Sequence, residues 1–309
     1  MKLLDAIERY NRNWNMVRNA FSNGRIQPDR DDLFVCPQCL RWFPRELWNI
    51  SNLSLEHVPP KSMGGKCRTI TCTKCNNQSG SLLDAELHKE LTLSEFFEGV
   101  ANASIEAHYR LEGMTSDIVA TITRPDSNTL HITGIPKRTD PAHLIEIRQL
   151  PIANAEDFRF TISIGTWKVA RPQIAKLRIA YLWAFSIFGY SLLLNRSFLT
   201  IREQIMRPED HILEVFPTLR VTSQAQNDYP IGVSIIDSPA ALQGILVNFN
   251  LKRPQKTYSR QMILLPKPTH EGISELLTMT EGQHQTVSLD YYPDPIFEEN
   301  PFFALTRWA

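Results

Sequence analysis

An acid and a histidine stand side by side at Glu56-His57, followed closely by Pro59-Pro60 and Gly64-Gly65. An imidazole of ordinary pKa can take up or release a proton near neutral pH. The carboxylate beside it could orient the ring by a hydrogen bond. The pair is therefore either the centre of a reaction or a polar spot in a turn, and the surrounding sequence has to decide between the two.

Four of the five cysteines fall into two pairs, Cys36 with Cys39 and Cys72 with Cys75. Two-residue spacing lets both thiolates of a pair meet one ion from a tight turn, and two such pairs complete a tetrahedral sulfur site. One pair alone would equally suit a redox dithiol, but two pairs favour structural Zn²⁺. Cys67 is left over and is interpreted as a small buried hydrophobe or an inert surface thiol.

The two cysteine pairs bracket the Glu56-His57 pair in the sequence. A zinc ion bound by both pairs would hold both ends of the segment that carries the acid and the histidine. In a segment this short, the metal would supply rigidity that a small apolar core cannot. We therefore expect Glu56 and His57 to be held in a fixed place.

Two β-prone runs and one helical pattern surround the pair. Residues 53–55 and 68–71 are typical of short strands, and a leucine repeat of helical spacing follows Asn76. Asn and Ser residues at the start of this repeat occupy positions where helix caps belong. The repeat consists of Leu83, Leu87 and Leu91. The sequence predicts a ββα unit with the Glu-His pair at the end of the first strand and Asn76 at the start of the helix.

These motifs, taken in order, resemble the HNH endonuclease family. They read C-x2-C, then L-EH-x-PP-x-S-x-GG, then T-C-x-x-C-N-N-x-x-G-S-x-x-D-x-x-L, over about residues 33–92. The resemblance is closest to the branch of the family with a Glu-His pair and a CxxCNN helix. It implies an enzyme that hydrolyses phosphodiester bonds with the help of a divalent cation.

The resemblance also implies a role for each residue. It makes His57 the general base, and it assigns the catalytic cation to Glu56 and Asn76. Oxygen ligands of this kind favour Mg²⁺ or Mn²⁺, whereas sulfur holds the structural Zn²⁺. Two simpler interpretations stay open: Glu56 could only orient His57, and Asn76 and Asn77 could only cap the helix.

Two positions depart from the family pattern. The last position of the family's name is Asn76 instead of a histidine, which still offers an oxygen ligand. The middle asparagine of the motif has no counterpart, because residues 66–69, Lys-Cys-Arg-Thr, stand in its place. The sequence therefore does not identify the residue that pins the loop between the two strands.

The composition limits the possible partners and the compartment. The 309-residue chain has 33 basic and 33 acidic residues, so a nucleic-acid partner would have to be held by a local patch. Such a patch is expected near the pair, from Arg41, Arg45, Lys61, Lys66, Arg68 and Lys74. The first twenty residues are typical of an amphipathic helix without a signal sequence, and the apolar run 179–194 is too short for a membrane span. We expect a cytoplasmic protein with no membrane partner.

The rest of the chain alternates helical and strand-like patterns. Strands are expected at 118–123, 129–133, 158–164, 231–236, 244–249 and 262–265, and helices at 141–150, from Pro172 onward and at 198–206. The fold class is therefore α+β, a zinc-stabilised ββα-metal module of HNH type followed by a larger α+β domain. The expected divisions are residues 1–32 as a helix and lead-in, 33–92 as the nuclease module, and 93–309 as a domain with a regulatory, sensing or target-binding role.

Two hypotheses of function follow. The first is a metal-dependent HNH endonuclease acting on DNA, for which a role in restriction or defence against phage would fit by analogy. The second is a zinc-stabilised nucleic-acid-binding or protein-interaction module that does not cut. Glu56, His57 and Asn76 together favour the enzyme, because a module that only binds has no chemical need for them. The sequence leaves the oligomeric state open, and a homodimer is possible.

Overall fold

The structure is a computed structural model, and it describes residues 2–20, 31–112, 117–135, 140–143, 145, 160–164, 170–194, 198–213, 218–219, 230–238, 243–266 and 288–292. The helices are α1 (Leu3–Ala20), α2 (Thr73–Ser79), α3 (Ala85–Phe97), α4 (Ala170–Phe188), α5 (Tyr190–Leu194) and α6 (Leu199–Met206). The strands are β1 (Leu33–Val35), β2 (Trp42–Pro44), β3 (Leu53–Val58), β4 (Lys66–Cys72), β5 (Ala103–Leu111), β6 (Ile118–Arg124), β7 (His131–Gly134), β8 (Phe160–Ser163), β9 (Thr218–Leu219), β10 (Gly232–Ser238), β11 (Gly244–Lys252), β12 (Tyr258–Pro266) and β13 (Ser288–Tyr292). This is a mixture of helix and strand, as the sequence predicts.

The region with the predicted chemistry consists of two antiparallel hairpins and a helix. Strands β1 and β2 pair, and the turn between them carries Cys36 and Cys39. Strands β3 and β4 form the second hairpin, and α2 follows β4 without a break. A single turn of π-helix at Gly80–Asp84 then leads into α3. The order of two strands and a helix is the predicted one, although β3 is longer than predicted and includes both Glu56 and His57.

By its internal contacts, the chain divides into two compact units. Unit 1 comprises Met1–Leu87, Val169–Lys252 and Tyr258–Ala309, and unit 2 comprises His88–Lys168 and Arg253–Thr257. The β3–β4 hairpin therefore shares a unit with α4 and with the sheet of strands β9 to β13. The division predicted from the sequence, into residues 1–32, 33–92 and 93–309, assigns a role to each part, and it stays a proposal.

Helix α4 is the centre of unit 1. Between Ile174 and Phe188 each of its residues is buried, including the basic residues Lys176 and Arg178. A helix that is apolar on all sides has to be surrounded by other elements, and α4 packs against the β3–β4 hairpin, the π-turn and strands β10, β11 and β12. The apolar run 179–194 lies in α4 and α5, and its residues are buried up to Leu192. In the described part of the chain, the helices are too short or too polar to span a bilayer.

The sheet in unit 1 has the strand order β13-β10-β11-β12-β9, with antiparallel pairing throughout. Its central strand β11 is almost entirely buried. Alternation alone does not mark such a strand, because both of its faces are covered. Helix α4 lies against this sheet, and Trp183 packs against Phe249 with ring centroids 6.2 Å apart.

Unit 2 contains an antiparallel sheet of order β7-β6-β5-β8. Its core consists of Leu93, Phe96, Ala103, Ile105, Ala107 and Ile122. The turn 253–257 belongs to this unit, where Gln255 N and Thr257 Oγ1 donate hydrogen bonds to the buried carboxylate of Glu95 over 3.0 and 2.5 Å.

Strands and helices are found at nearly all the predicted places outside the hairpins. The helix predicted at 141–150 is described only at 141–143 and 145, which are helical, and the remainder lies outside the described residues. Strands β1, β2, β5, β9 and β13 have no counterpart among the predicted elements. Strands β1 and β2 are only three residues long, which is too short for an alternating pattern to mark them.

Candidate metal and phosphodiesterase centre

The four paired cysteines converge on one point. The Sγ atoms of Cys36, Cys39, Cys72 and Cys75 all lie within 4.8 Å of one another, and those of Cys39 and Cys72 are 3.7 Å apart. Four sulfurs at ~2.3 Å from a tetrahedral zinc ion would be ~3.8 Å apart. The arrangement therefore fits a Zn²⁺ ion held by four thiolates. Cys67 lies outside the cluster and is half-buried.

Backbone amides support the sulfur cluster. Cys72 N donates to Cys36 Sγ, and Cys75 N donates to Cys72 Sγ, each over 3.4 Å. Leu40 has a positive φ of 56°, which closes the first cysteine turn. The neighbouring thiol of Cys36 lowers the pKa of Cys39 to about 7, so that this ligand loses its proton near neutral pH. Amides that point at sulfur are what negatively charged thiolates require.

His57 lies at an irregularity of the β3–β4 hairpin. Glu56 pairs with Thr69 and His57 pairs with Cys67, so Arg68 is one extra residue on the second strand. Such a bulge bends a strand and re-aims its side chains. The His57 side chain is half-buried, and among the described residues it has no hydrogen bond or ion pair. It is therefore available to a water molecule or a substrate.

Glu56 points into the protein, where only 4% of it is exposed. Its Oε1 lies 3.0 Å from Nη2 of Arg178 on helix α4, and its Oε2 accepts a hydrogen bond of 3.0 Å from Thr71 Oγ1. Because successive strand residues face opposite ways, Glu56 and His57 do not project in the same direction.

Asn76 lies one turn into α2 and is half-buried. Its Nδ2 donates a hydrogen bond of 2.8 Å to Ser54 Oγ, two residues before Glu56 on β3. The amide oxygen of Asn76 takes no part in this hydrogen bond. The cap of α2 is Cys72, whose sulfur accepts from Cys75 N, so the alternative that Asn76 caps this helix does not apply.

A second carboxylate, Asp84, lies near Glu56. Asp84 Oδ1 is 3.6 Å from Nη1 of Arg178, so one guanidinium lies beside two acids. Burial raises the pKa of Asp84 to about 6, the charge of Arg178 opposes that rise, and the charge of Glu56 adds to it. The three residues form a buried cluster with one positive and two potentially negative charges.

The loop between β3 and β4 is pinned by its backbone. Met63 N and Gly65 N donate to Pro60 O over 2.9 and 3.2 Å, and Met63 is buried. A Cβ atom on Gly65 would lie 1.4 Å from the carbonyl oxygen of Pro59, so only glycine fits there. Gly64 has a φ of 84°, which favours glycine. The loop is thus held without the middle asparagine of the family pattern.

Five of the six basic residues near the pair are exposed, namely Arg41, Arg45, Lys61, Lys66 and Lys74. Arg68 is different, because its guanidinium lies over the ring of Trp183, 4.0 Å from the ring centroid. Desolvation lowers the pKa of Arg68 from its usual value. We assign Arg68 to packing of the bulge against α4 instead of to contact with a partner.

Comparison with known families identifies the protein family to which the hairpin and the helix correspond. Residues 47–92 match the model of the HNH endonuclease family. The chain contains an HNH endonuclease domain. The matched residues include the β3–β4 hairpin and α2, with Glu56, His57 and Asn76, but they exclude Cys36 and Cys39. No curated protein and no solved structure gave a match to the chain.

The HNH domain supports a nuclease in general, and it implies a nucleic-acid substrate. HNH nucleases use divalent metals, and the donor chemistry of Glu56 and Asn76 suits such an ion. In this structure, however, both oxygens of Glu56 are engaged by Thr71 and Arg178. The Glu56 carboxylate therefore does not fit a cation while these two partners hold it.

Two residues around the HNH site, Arg178 and Ser54, lie outside its motifs. Thr71 and Asp84 lie within the motifs, but the sequence gives no role to either of them. In the sequence, Arg178 is only a charge that flanks the apolar run of α4. The available signal is an arginine that directly precedes the apolar run of this helix, because a buried arginine needs a carboxylate partner. The residues next to Arg178 in the sequence do not indicate which acidic residue of the chain is its partner.

Proposed function

We propose that this protein is an HNH endonuclease that hydrolyses phosphodiester bonds in DNA, with His57 as the general base. The observation that carries the proposal is the half-buried imidazole of His57, which has no partner among the described residues, at a bulge within the family-matched hairpin. His57 would take the proton of the attacking water. Imidazole is the side chain that most often takes this role in enzymes.

Asn76 and Glu56 are proposed to hold a divalent cation, Mg²⁺ or Mn²⁺. When bound, such an ion would stabilise the negative charge that develops on the phosphate and on the leaving oxygen. Asn76 is positioned for this by its hydrogen bond to Ser54. Glu56 would have to exchange its present partners first, since both of its oxygens are occupied.

The zinc ion proposed at the four cysteines has a structural role. A site with four thiolates leaves no open position for water or substrate. It would join the β1–β2 hairpin to the start of α2 through Cys36 and Cys75, and so it would hold Asn76 relative to that hairpin. The exposed basic residues around the hairpin would contact phosphates without reading the sequence.

Plasmid cleavage tests the proposal directly. Purified protein is incubated with supercoiled plasmid, single-stranded DNA and RNA, in Mg²⁺, Mn²⁺ or EDTA, and compared with a His57→Ala variant. We expect nicking or linearisation of DNA that needs the divalent ion and falls about 10²- to 10⁴-fold without the imidazole. His88→Ala is the matched control, because His88 is exposed on α3. Full activity of the His57→Ala protein would refute the assignment of the base.

The non-cutting alternative is supported by one observation, the engagement of both Glu56 oxygens in the buried cluster. If it is right, the protein binds DNA in a gel-shift assay but leaves plasmid intact with each metal. A role in restriction or phage defence rests on analogy alone. Plating phage on cells that express either the wild-type or the His57→Ala protein would test that role.

A further inference from the structure

Both oxygens of the Glu56 carboxylate already have protein partners. Arg178 supplies a guanidinium 3.0 Å from Oε1, and Thr71 donates its hydroxyl to Oε2. The side chains of Arg178 and Glu56 are only 1% and 5% exposed. A divalent cation that approached Glu56 would therefore meet a positive charge at the same carboxylate.

The charge of Arg178 is permanent in any ordinary solution. A guanidinium group stays charged in folded proteins, so Arg178 cannot release Glu56 by losing its charge. It can yield only by moving or by being outcompeted. Since two cations near one carboxylate repel each other strongly in a buried site, binding of Arg178 and binding of a metal ion to Glu56 exclude each other.

The hold of Arg178 on Glu56 depends on charge more than on hydrogen-bond geometry. Although Nη2 is within ion-pair distance, neither Nη2 nor Nε of Arg178 makes a well-aligned hydrogen bond among the described residues. Oδ1 of Asp84 likewise has none, and it lies 3.6 Å from Nη1. The guanidinium is thus shared between two acids and lacks the two-bond fork that makes arginine–carboxylate pairs strong. Such a pair can be opened.

We propose that Arg178 is a positioning residue of the HNH site, whose guanidinium competes with the divalent cation for Glu56 and so sets the cation affinity. Glu56 binds the cation only when Arg178 releases it. The inference rests on the proposed function, because it takes Glu56 as a cation ligand. Competition and a purely structural ion pair lead to different cation affinities when the charge of Arg178 is removed.

Mn²⁺ binding to the whole protein, followed without DNA by the loss of the electron paramagnetic resonance signal of free Mn²⁺, tests the competition. In Arg178→Gln the competing charge is gone and two acids are left, so we expect binding at least about tenfold tighter than in the wild type. Arg178→Lys keeps the charge, and its affinity should stay close to that of the wild type. The double variant Arg178→Gln/Glu56→Gln should lose the gain.

Two outcomes would overturn the inference. One is an unchanged or weaker Mn²⁺ affinity in a folded Arg178→Gln protein, and the other is a gain that survives the Glu56→Gln change. A merely structural role of Arg178 would impair the Lys and Gln variants alike and would raise the affinity of neither. Circular dichroism and zinc content establish that each variant is folded.

A measurement on the wild-type protein decides the matter if Arg178→Gln does not fold. The arginine Nε–H resonances are recorded by nuclear magnetic resonance while Mg²⁺ is added to saturation. Saturation is the Mg²⁺ concentration beyond which the thermal stability of the protein no longer changes. The resonance of Arg178 is identified by its absence from the Arg178→Lys spectrum. It should shift as the guanidinium leaves Glu56, and a resonance that stays fixed at the end of the titration would refute the competition.

The failure of this inference can be told apart from the failure of the nuclease proposal. Plasmid cleavage by the wild type, together with unchanged Mn²⁺ binding in Arg178→Gln, would refute only the role of Arg178. Glu56-dependent tightening in Arg178→Gln, together with a wild type that cuts no nucleic acid, would support the role of Arg178 and refute the nuclease.

Discussion

Asn76 of helix α2 donates a hydrogen bond from Nδ2 to Oγ of Ser54 on strand β3, over 2.8 Å. This bond fixes the asparagine relative to the strand that carries Glu56 and His57. It links strand β3 and helix α2, the two elements that carry the residues proposed to act in catalysis.

Ser54→Ala should leave Asn76 without its acceptor. We expect a loss of about 1 kcal/mol in the free energy of unfolding and cleavage slower by up to about tenfold, with a higher Mg²⁺ requirement. Ser81→Ala is the control, because Ser81 donates a similar bond to Gln78 O on the exposed side of the chain. Equal Mg²⁺ dependence of the two variants in a plasmid assay would contradict the role of Ser54.

Zinc removal should unfold the region around the cysteines. In the wild type we expect one zinc ion per chain, measured by elemental mass spectrometry, and a cooperative unfolding transition. The Cys72→Ser variant should lose both the zinc ion and the cooperative transition. Cys67→Ser should retain both, because Cys67 lies outside the sulfur cluster. A zinc content that is unchanged in Cys72→Ser, or absent from the gently purified wild type, would rule out the four-cysteine site.

Gly65→Ala should be strongly destabilising, because its Cβ would overlap the carbonyl oxygen of Pro59. A clash with backbone cannot be relieved by turning a side chain, so we expect a loss of about 3 kcal/mol or more in urea unfolding. Gly80→Ala is the matched control: it lies in helical backbone with no atom near the added Cβ, and it should gain about 0.5–1 kcal/mol. Similar stabilities for the two variants would contradict the proposed pinning of the loop.

Asp84→Asn should stabilise the protein most above pH 7. The folded pKa of Asp84, about 6, exceeds the ordinary value of 3.8, so the folded state binds this proton more tightly than the unfolded state does. The resulting stability is present at low pH and is lost as pH rises towards and through the folded pKa. Arg178 on α4 and Glu56 on β3 are the charges that face Asp84.

The cost of ionising Asp84 is at most about 3 kcal/mol at pH 8, from a rise of about two pKa units at ~1.4 kcal/mol each. Asp84→Asn removes this cost, so its advantage over the wild type in urea unfolding should shrink as the pH falls below 6. An advantage that stays constant from pH 5.5 to pH 8 would show that the pKa of Asp84 is not raised.

Lys61 and Lys66 flank the loop beside His57, and both are exposed. Replacing both with Ala should weaken DNA binding without changing stability. It should also lower the slope of log affinity against log salt by about two, one for each phosphate that no longer meets a lysine. Fluorescence anisotropy of a labelled duplex at several salt concentrations measures this slope. Lys2→Ala, which removes an exposed charge on the N-terminal segment, should leave the slope unaltered.

Local signals in the sequence are enough to predict much of this region. The spacing of Cys36, Cys39, Cys72 and Cys75 predicts the sulfur cluster, because two-residue spacing leaves few other geometries. The β-prone runs and the leucine repeat predict the hairpin and the helix. These features depend on residues that are close in the chain, and periodicity and spacing report on such contacts.

The environment of Glu56 could not be predicted in this way. It depends on Arg178, which comes from a helix more than a hundred residues later in the chain, and on the inward direction of one strand residue at a bulge. A one-residue shift of register reverses which side chains face inward. From the sequence, Gly65 can be assigned only to a turn. The clash that a Cβ atom at this position would make with Pro59 is visible only in the three-dimensional structure of the loop.

The burial of α4 against the β3–β4 hairpin sets a condition on how this HNH domain can be engineered. A chimaera that received only residues 47–92 would inherit a hairpin with one bare apolar face and with an uncompensated acid at Glu56. The graft would need the segment 170–188 as well, supplied in the same chain or as a separate peptide. The HNH domain is continuous in sequence, but its interior is built from two distant pieces of the chain.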